Sequence, residues 1–320
     1  MATQTLRRGG LIISGAMVAA GAAGIIAHYS WLESNWLARV GAFAPVLMGI
    51  GLLGTLLALA VRGWWVAGVG AVLVVVSVIS QAPLYIGSGE PGTGDLTVMQ
   101  ANIYLGQADV DALAKTVADK HVDILTVAEL TDPALSRIEA SAIAEQLPYT
   151  FVKPAEHGAG IGLFSRYPLT DAGALDGFRM ANARAVVQIP GHGEYAVYAL
   201  HPLPPYPEPA WRWTMELDRL SEILHDETRP VIAAGDFNST YDHRQLRDLL
   251  SDSDGGPGLT DAAEHTGAGI IATYPANRWF PAMLALDRVM TRGGPEAVDF
   301  YRVEIPGSDH HGVVAEIDLR

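Results

Sequence analysis

The chain is 320 residues long, carries a formal charge of −14, has no cysteine and is 49% apolar. The missing cysteines exclude disulfides and thiolate metal sites, and the acidic balance disfavours a sequence-independent binder of polyanions unless a local basic groove exists. Acidic and apolar together point to two regions: the first 90 residues hold four arginines against two glutamates, and the rest holds 17 basic against 33 acidic residues, enough chain for one domain with a substantial core.

Three apolar stretches come first, Leu11 to Ala27, Leu37 to Val61 and Trp64 to Ile86. A helix needs about 20 apolar residues to cross a bilayer core, so the second and third qualify directly. The first is shorter and rich in small residues. It fits a cleaved signal peptide, because Arg7 and Arg8 precede it, or a third span; the two spans that follow favour the latter, giving a transmembrane region over residues 1–87. Arg7, Arg8 and Arg62 then mark cytoplasmic segments, and an odd number of spans places everything after Ile86 outside the cell membrane, with Arg39 as the dissenting charge. Trp31, Trp36, Trp64 and Trp65 suit interfacial belts. Few polar residues interrupt the spans, which favours plain anchoring. Residues 88–94, within "GSGEPGTG", read as a flexible linker.

From Asp95 to the end, β-rich runs alternate with helical ones. "DLTVMQAN" predicts a strand, Asp109 to Lys120 a helix, "VDILTVAEL" a buried strand, and Asp132 to Leu147 a second helix. "IGLFSR", "ARAVVQI" and "EYAVYALH" are further strands, the last two joined by a Gly-His-Gly hairpin turn. Trp211 to His225 is helical, and "PVIAAGDFN", "LALDRVM" and "GVVAEIDL" complete the strands. Hairpins mixed with β-α units predict an α/β domain with largely antiparallel sheets.

Several of these strands end in residues able to bind metal or move protons: Asn102, Glu129, His201, then Asp236 and Asn238, with Asp309 and His310 directly before the last strand. Singly each has a bland reading. Asn102 suits a turn, Glu129 a helix start, "GDFN" a Gly-Asp turn, and His201 a core histidine bonded to backbone. Asp287 is harder to dismiss, since a charge between Leu286 and Val289 in an apolar run needs a partner, for which a histidine is the natural candidate. His311 is set aside, because neighbours on a strand point to opposite faces.

"MQANIY", "TVAEL", "LFSRYPL", "YALHPLPP", "AAGDFNST", "LALDRVM" and "GSDHHGVV", in that order, resemble the endonuclease/exonuclease/phosphatase superfamily that includes DNase I, abasic-site endonucleases, neutral sphingomyelinases and inositol polyphosphate 5-phosphatases. The resemblance covers residues 95–320, with "HPLPP" in place of the commoner "HL" form and Arg288 after Asp287 as departures. It implies a DNase I-like four-layer α/β/β/α sandwich behind the three-helix transmembrane region, as in membrane-bound bacterial members that include a teicoplanin-resistance protein. It also implies an Mg²⁺- or Mn²⁺-dependent phosphoric ester hydrolase. Glu129, with Asn102 and Asp309, would hold the metal, and His201, Asp236, Asn238, Asp287 and His310 would be catalytic.

Phosphate-ester hydrolysis needs neutralised phosphoryl oxygens, an activated water and a protected leaving oxygen, and oxygen ligands suit hard Mg²⁺ or Mn²⁺. A zinc site on His310 and His311 is disfavoured by the same oxygen-rich surroundings. A multi-pass anchor on the outer face favours a lipid-linked or cell-envelope phosphate as substrate. The alternatives are an extracellular nuclease, which would need a basic aromatic groove, and a non-catalytic binding module.

Overall fold

The computed structural model describes residues 2–90, 92–251 and 258–319. Pro91 of the expected linker, and residues 252–257 and Arg320 of the expected domain, lie outside the described residues.

Four helices lead the chain: α1 (Ala2–Tyr29), α2 (Asn35–Ala42), α3 (Ala44–Ala60) and α4 (Trp64–Gln81). Gln4–Tyr29 and Trp64–Leu84 are long and apolar enough to cross a membrane. The expected second span differs: α2 and α3 meet at 65°, so a third crossing exists only if that bent pair counts as one. Phe43, at the break, has φ −104° and ψ 13°, outside helical geometry, and Pro45 is the second residue of α3. Proline tolerates the first turn of a helix and not its interior, so the sequence carries a stop that hydropathy alone does not register.

α1 crosses α3 closely, where a Cβ on Gly21 would lie 2.8 Å from the Gly51 backbone. Small residues at such crossings let apolar helices pack, so α1 is built into the bundle. Arg7 donates to the carbonyl oxygens of Val61 (3.1 Å) and Arg62 (3.3 Å), which collects Arg7, Arg8 and Arg62 at one end of the bundle. His28 and α2 lie at the other, against the following domain.

That domain runs β1 (Leu96–Asn102), α5 (Val110–Asp119), β2 (Ile124–Ala128), α6 (Asp132–Glu139), α7 (Ala142–Gln146), β3 (Tyr149–Lys153), β4 (Ile161–Ser165), β5 (Leu169–Ala174), β6 (Ala183–Ile189), β7 (Gly193–Leu200), α8 (Ala210–Asp226), β8 (Val231–Asp236), α9 (Arg244–Leu250), β9 (Thr260–Asp261), α10 (Ala262–Thr266), β10 (Asp287–Arg292), β11 (Pro295–Val303) and β12 (Gly312–Leu319). One sheet has the order β11-β12-β1-β2-β4-β3 and the other β5-β6-β7-β8-β10-β9. Pairing is antiparallel except for β1 with β2 and β7 with β8. The helix expected over Asp132 to Leu147 is two, because Ser141 caps a new start by accepting from Ile143 N. β3, β5, β9 and β11 are not predicted by the sequence; β9 is two residues long, and β5 and β11 carry charged residues and register breaks that blur a period-2 pattern.

The sheets face each other across a core that includes Val98, Ile124, Leu163, Val197, Ile232 and Val289. α5, α6 and α7 cover one outer face with Leu113, Val117, Ile138 and Ile143, and α8 and α9 cover the other with Trp213, Leu217, Leu220 and Leu246. The result is the expected α/β/β/α layering. Ala38 of α2 belongs to the α8 cluster and is buried there, so the start of the predicted second span packs into the catalytic domain. The linker is also held, Ser88 N and Gly89 N both donating to the His265 carbonyl (3.0 and 2.9 Å).

Candidate active site

The two sheets bring one set of strand ends together. Asn102 ends β1 beside Ala128 of parallel β2, which leaves Glu129 as its neighbour. Across the sandwich, Asp236 ends β8 directly opposite Asp287 of β10. Leu200, before His201, pairs with Gly235, where a Cβ would lie 2.1 Å from the Leu200 oxygen. The glycine before Asp236 is thus required by the close approach of β7.

Asn102 joins the halves, its Nδ2 donating to Glu129 Oε1 (3.1 Å) and to Asp236 Oδ2 (3.0 Å). Its Oδ1 accepts from Tyr104 N (3.0 Å), and Glu129 Oε2 accepts from Leu105 N (2.7 Å). Asp236 Oδ1 accepts from Asn238 N (2.9 Å), while Asn238 Nδ2 donates to the Pro202 carbonyl (3.0 Å). The Nε2 atoms of His201 and His310 stand 3.8 and 3.7 Å from Asp236 Oδ2. His310 Nδ1 bonds Asp287 Oδ2 at 2.8 Å, the partnership expected for an acid in an apolar strand. Asp309 lines the same cleft as Glu129, His201, Asp236, Asn238 and His310, so the eight anticipated residues lie together.

Burial alone would push the His310 ring toward neutrality, but Asp287 and Asp236 overcome it and raise its pKa to about 10. Burial likewise opposes ionisation of Asp236, and His310 and His201 outweigh it, holding the carboxyl below its usual range. Asp309 moves the other way: burial, then the charges of Glu129 and Asp236, raise it against the pull of His310. Its Oδ1 is buried with no hydrogen-bond partner.

That orphaned oxygen beside like charges is what a divalent cation would satisfy, so Glu129 and Asp309 fit a hard metal ion, with Asn102 fixing Glu129. Asp236, Asp287 and His310 also place one ligand atom each within 4.8 Å of one another. Within that trio His310 Nδ1 is engaged by Asp287 Oδ2 at 2.8 Å, which fixes the imidazole with Nε2 turned toward Asp236.

Sequence reasoning missed several supporting residues. Ser308 accepts from His310 N (3.0 Å) and donates to the Asn102 carbonyl (2.7 Å), tying the last loop to β1. Asn182 Oδ1 accepts from His201 N (2.6 Å), and the Tyr274 ring stands 4.8 Å from that of His310. Glu216 accepts from Leu203 N (2.7 Å) and Arg179 N (2.8 Å), fixing the segment after His201. Only Ser308 had a local signal, its place in "SDH". Arg288 turns away to an ion pair with Asp261, and the Ser165-Arg166 pair is structural, Arg166 bonding Asp123 at 2.9 Å. His311 is half-buried and held through its backbone N–H to the Thr273 carbonyl (2.9 Å).

The centre opens into a cleft of about 810 Å³. The segment after His201 reaches it through Leu203 to Glu208, and the segment before β10 through Tyr274 and Leu284. Ala38, Arg39, Ala42 and Phe43 of the leading region line it too, which the sequence reading did not foresee.

A family model described as "Endonuclease/Exonuclease/phosphatase family" matches residues 99–310. No curated protein matches the chain. Among solved structures, it is similar to D. rerio TDP2 complexed with single strand DNA product, with TM-score 0.57 and 15% identity over 70% of this chain and 98% of that one. It is also similar to the endonuclease/exonuclease/phosphatase from Bacteroides vulgatus (0.54, 17%, 70% and 99%) and to truncated Caenorhabditis elegans TDP2 (0.53, 18%, 70% and 97%). At such identities the likeness concerns the fold.

Proposed function

The chain belongs to the endonuclease/exonuclease/phosphatase family, and from that premise we propose that it is a membrane-anchored, Mg²⁺- or Mn²⁺-dependent phosphoric ester hydrolase acting on a lipid-linked or envelope phosphate outside the cell membrane. The observation that carries the reaction class is Asn102 bridging Glu129 and Asp236, with the Asp287–His310 pair on the far side of Asp236.

Glu129 and Asp309 would hold the metal, which when bound neutralises phosphoryl and leaving oxygens. Asp236, kept ionised, orients the attacking water and draws its proton. His310, kept protonated by Asp287, donates to a phosphoryl oxygen. His201 donates from the other side of Asp236. The Asn238 amide, anchored on Pro202, marks the edge of the phosphate position.

The substrate class is supported by placement. The cleft is walled by the membrane-proximal helix, and the residues after the first 90 carry 17 basic against 33 acidic groups, a poor match for a polyanionic strand. The D. rerio relative was solved with single strand DNA product, so a nuclease is the second reading. A panel of duplex DNA, RNA, polyprenyl phosphates and phospholipids, with Mg²⁺ or Mn²⁺ and Asp236→Ala as control, separates them. Turnover of lipid phosphates lost in the variant is the expected result. Turnover of nucleic acid alone would overturn the substrate, and no turnover of any ester would favour a binding module.

A further inference from the structure

Helix α2 turns away from the apolar bundle and packs into the catalytic domain, where Ala38 is buried among the α8 residues. Asn35 Nδ2 donates to the carbonyls of Pro205 (3.1 Å) and Glu208 (2.8 Å), and its Oδ1 accepts from Ala210 N (3.1 Å), an otherwise orphaned donor at the start of α8. The proline-rich segment after His201 is thereby fastened to α2 at both ends. Behind it, His243 accepts from Thr240 N on Nδ1 (2.9 Å), so the proton is on Nε2, which donates to the Ala38 carbonyl (2.7 Å). A Cβ on Gly41 would lie 3.2 Å from the same imidazole.

One turn before α3 begins, Arg39 projects from α2 into the wall of the catalytic cleft. Its guanidinium lies 3.7 Å from the Tyr206 ring centroid and 5.8 Å from that of Trp36. Stacking engages the face of the guanidinium and leaves its N–H edges free to take oxygen anions. Arg179 lines the same cleft, bound only through its backbone N–H to Glu216. Neither guanidinium has a carboxylate partner among the described residues. Two arginines without a carboxylate partner in the cleft of an acidic domain call for an oxygen anion, and the cleft is the one that Glu129 and Asp309 also line. Phe43 and Met283, each 39% exposed, provide apolar surface where α2 turns into the bundle.

We infer that the membrane region supplies part of the substrate site: Arg39, with Arg179, binds an anionic group other than the scissile phosphate, which selects amphiphiles carrying two neighbouring phosphates, with the apolar chain leaving along Phe43. This rests on the phosphoric ester hydrolase reading and extends it, since it makes α2 a specificity element and not only an anchor.

The test uses the full chain in detergent micelles with Mg²⁺, in an Asp236→Asn background that blocks turnover. Affinities for farnesyl diphosphate and farnesyl monophosphate are measured by calorimetry for Arg39, Arg39→Ala and Arg39→Lys. The diphosphate should lose about tenfold or more relative to the monophosphate in Arg39→Ala, the scale of one charge-assisted contact, and Arg39→Lys should recover part of it. An equal loss for both probes would reduce Arg39 to a support for Tyr206 and overturn the inference, as would no loss for either. Failure of the parent reading looks different. Arg39-dependent diphosphate preference without turnover of any phosphate ester by the Asp236 chain sinks the hydrolase and leaves the site, whereas turnover of lipid diphosphates indifferent to Arg39 sinks the site alone.

Discussion

Glu129 has φ +61° and Asn238 φ +49°, the left-handed region that costs a residue with a side chain about 1–2 kcal/mol. Asn tolerates it and Glu does not favour it, so the bond from Leu105 N and the Asn102 amide hold Glu129 in place against strain. Because its charge also raises the Asp309 carboxyl, Glu129→Gln should lower divalent-dependent turnover at least about 100-fold without destabilising the metal-free protein, as rate assays beside thermal unfolding would show. His310 serves as a donor only while protonated, and the Asp287 carboxylate is the larger of the two charges that keep it so. Asp287→Asn should therefore move the alkaline limb of the kcat/KM profile to lower pH as well as lowering its height; a limb that stays put would remove His310 from the acid role. His311 contacts its surroundings through its backbone, so His311→Ala should retain activity within about twofold, the range of a neutral half-exposed site.

Among elements, β8 and β10 set the site by register, Asp236 facing Asp287, and a slip of one residue would turn both acids away. α2 meets the segment after β8 through the His243 bond to the Ala38 carbonyl (2.7 Å), and α1 and α4 reach the same segment, where His28 Nδ1 and Gln81 Nε2 both meet Asp242 Oδ1 at 2.7 Å. Burial lowers the His243 pKa to about 4, against the help of its bond to Ala38. Below the ordinary value near 6.5 the unfolded chain takes up a proton that the folded chain refuses until about pH 4. Stability should thus fall as pH drops through that window, by up to about 3 kcal/mol from this residue. In His243→Gln the drop between those pH values in denaturation midpoint should be smaller than in the parent chain; an identical drop would place the acid sensitivity elsewhere.

At the scale of the whole molecule the bundle and the catalytic domain share buried surface. Ala38 lies in the same cluster as Trp213 and Phe237, and removing residues 1–86 would uncover it together with Asp242 and the His243 ring. The fragment beginning at Asp95 should unfold at lower temperature than the full chain in micelles and aggregate on concentration, as scanning calorimetry and light scattering would report. The collection of Arg7 and Arg62 at the end opposite α2 also predicts that a C-terminal reporter is active outside the cell membrane. Activity only in the cytoplasm would reverse the proposed topology.

The sequence by itself determined the strand ends. Asn102, Glu129, His201, Asp236, Asn238, Asp287, Asp309 and His310 were legible because polar groups at the ends of apolar strands conflict with local burial unless they meet one another. It also determined the apolar helices, through run length, and the α/β class with largely antiparallel sheets, through mixed hairpins and β-α units; the layering came from the family resemblance. Ser308, Asn182, Glu216 and Tyr274 were not legible, because a backbone-bonding side chain in a loop looks the same whether or not a catalytic histidine is its neighbour. Only the tertiary structure decided that the second apolar stretch bends at Phe43 and packs Ala38 under α8. Hydropathy measures what a segment can be buried in, and lipid and a protein core are equally apolar, so the choice between them rests on shape and on partners such as Asn35 and His243 that lie far away in sequence.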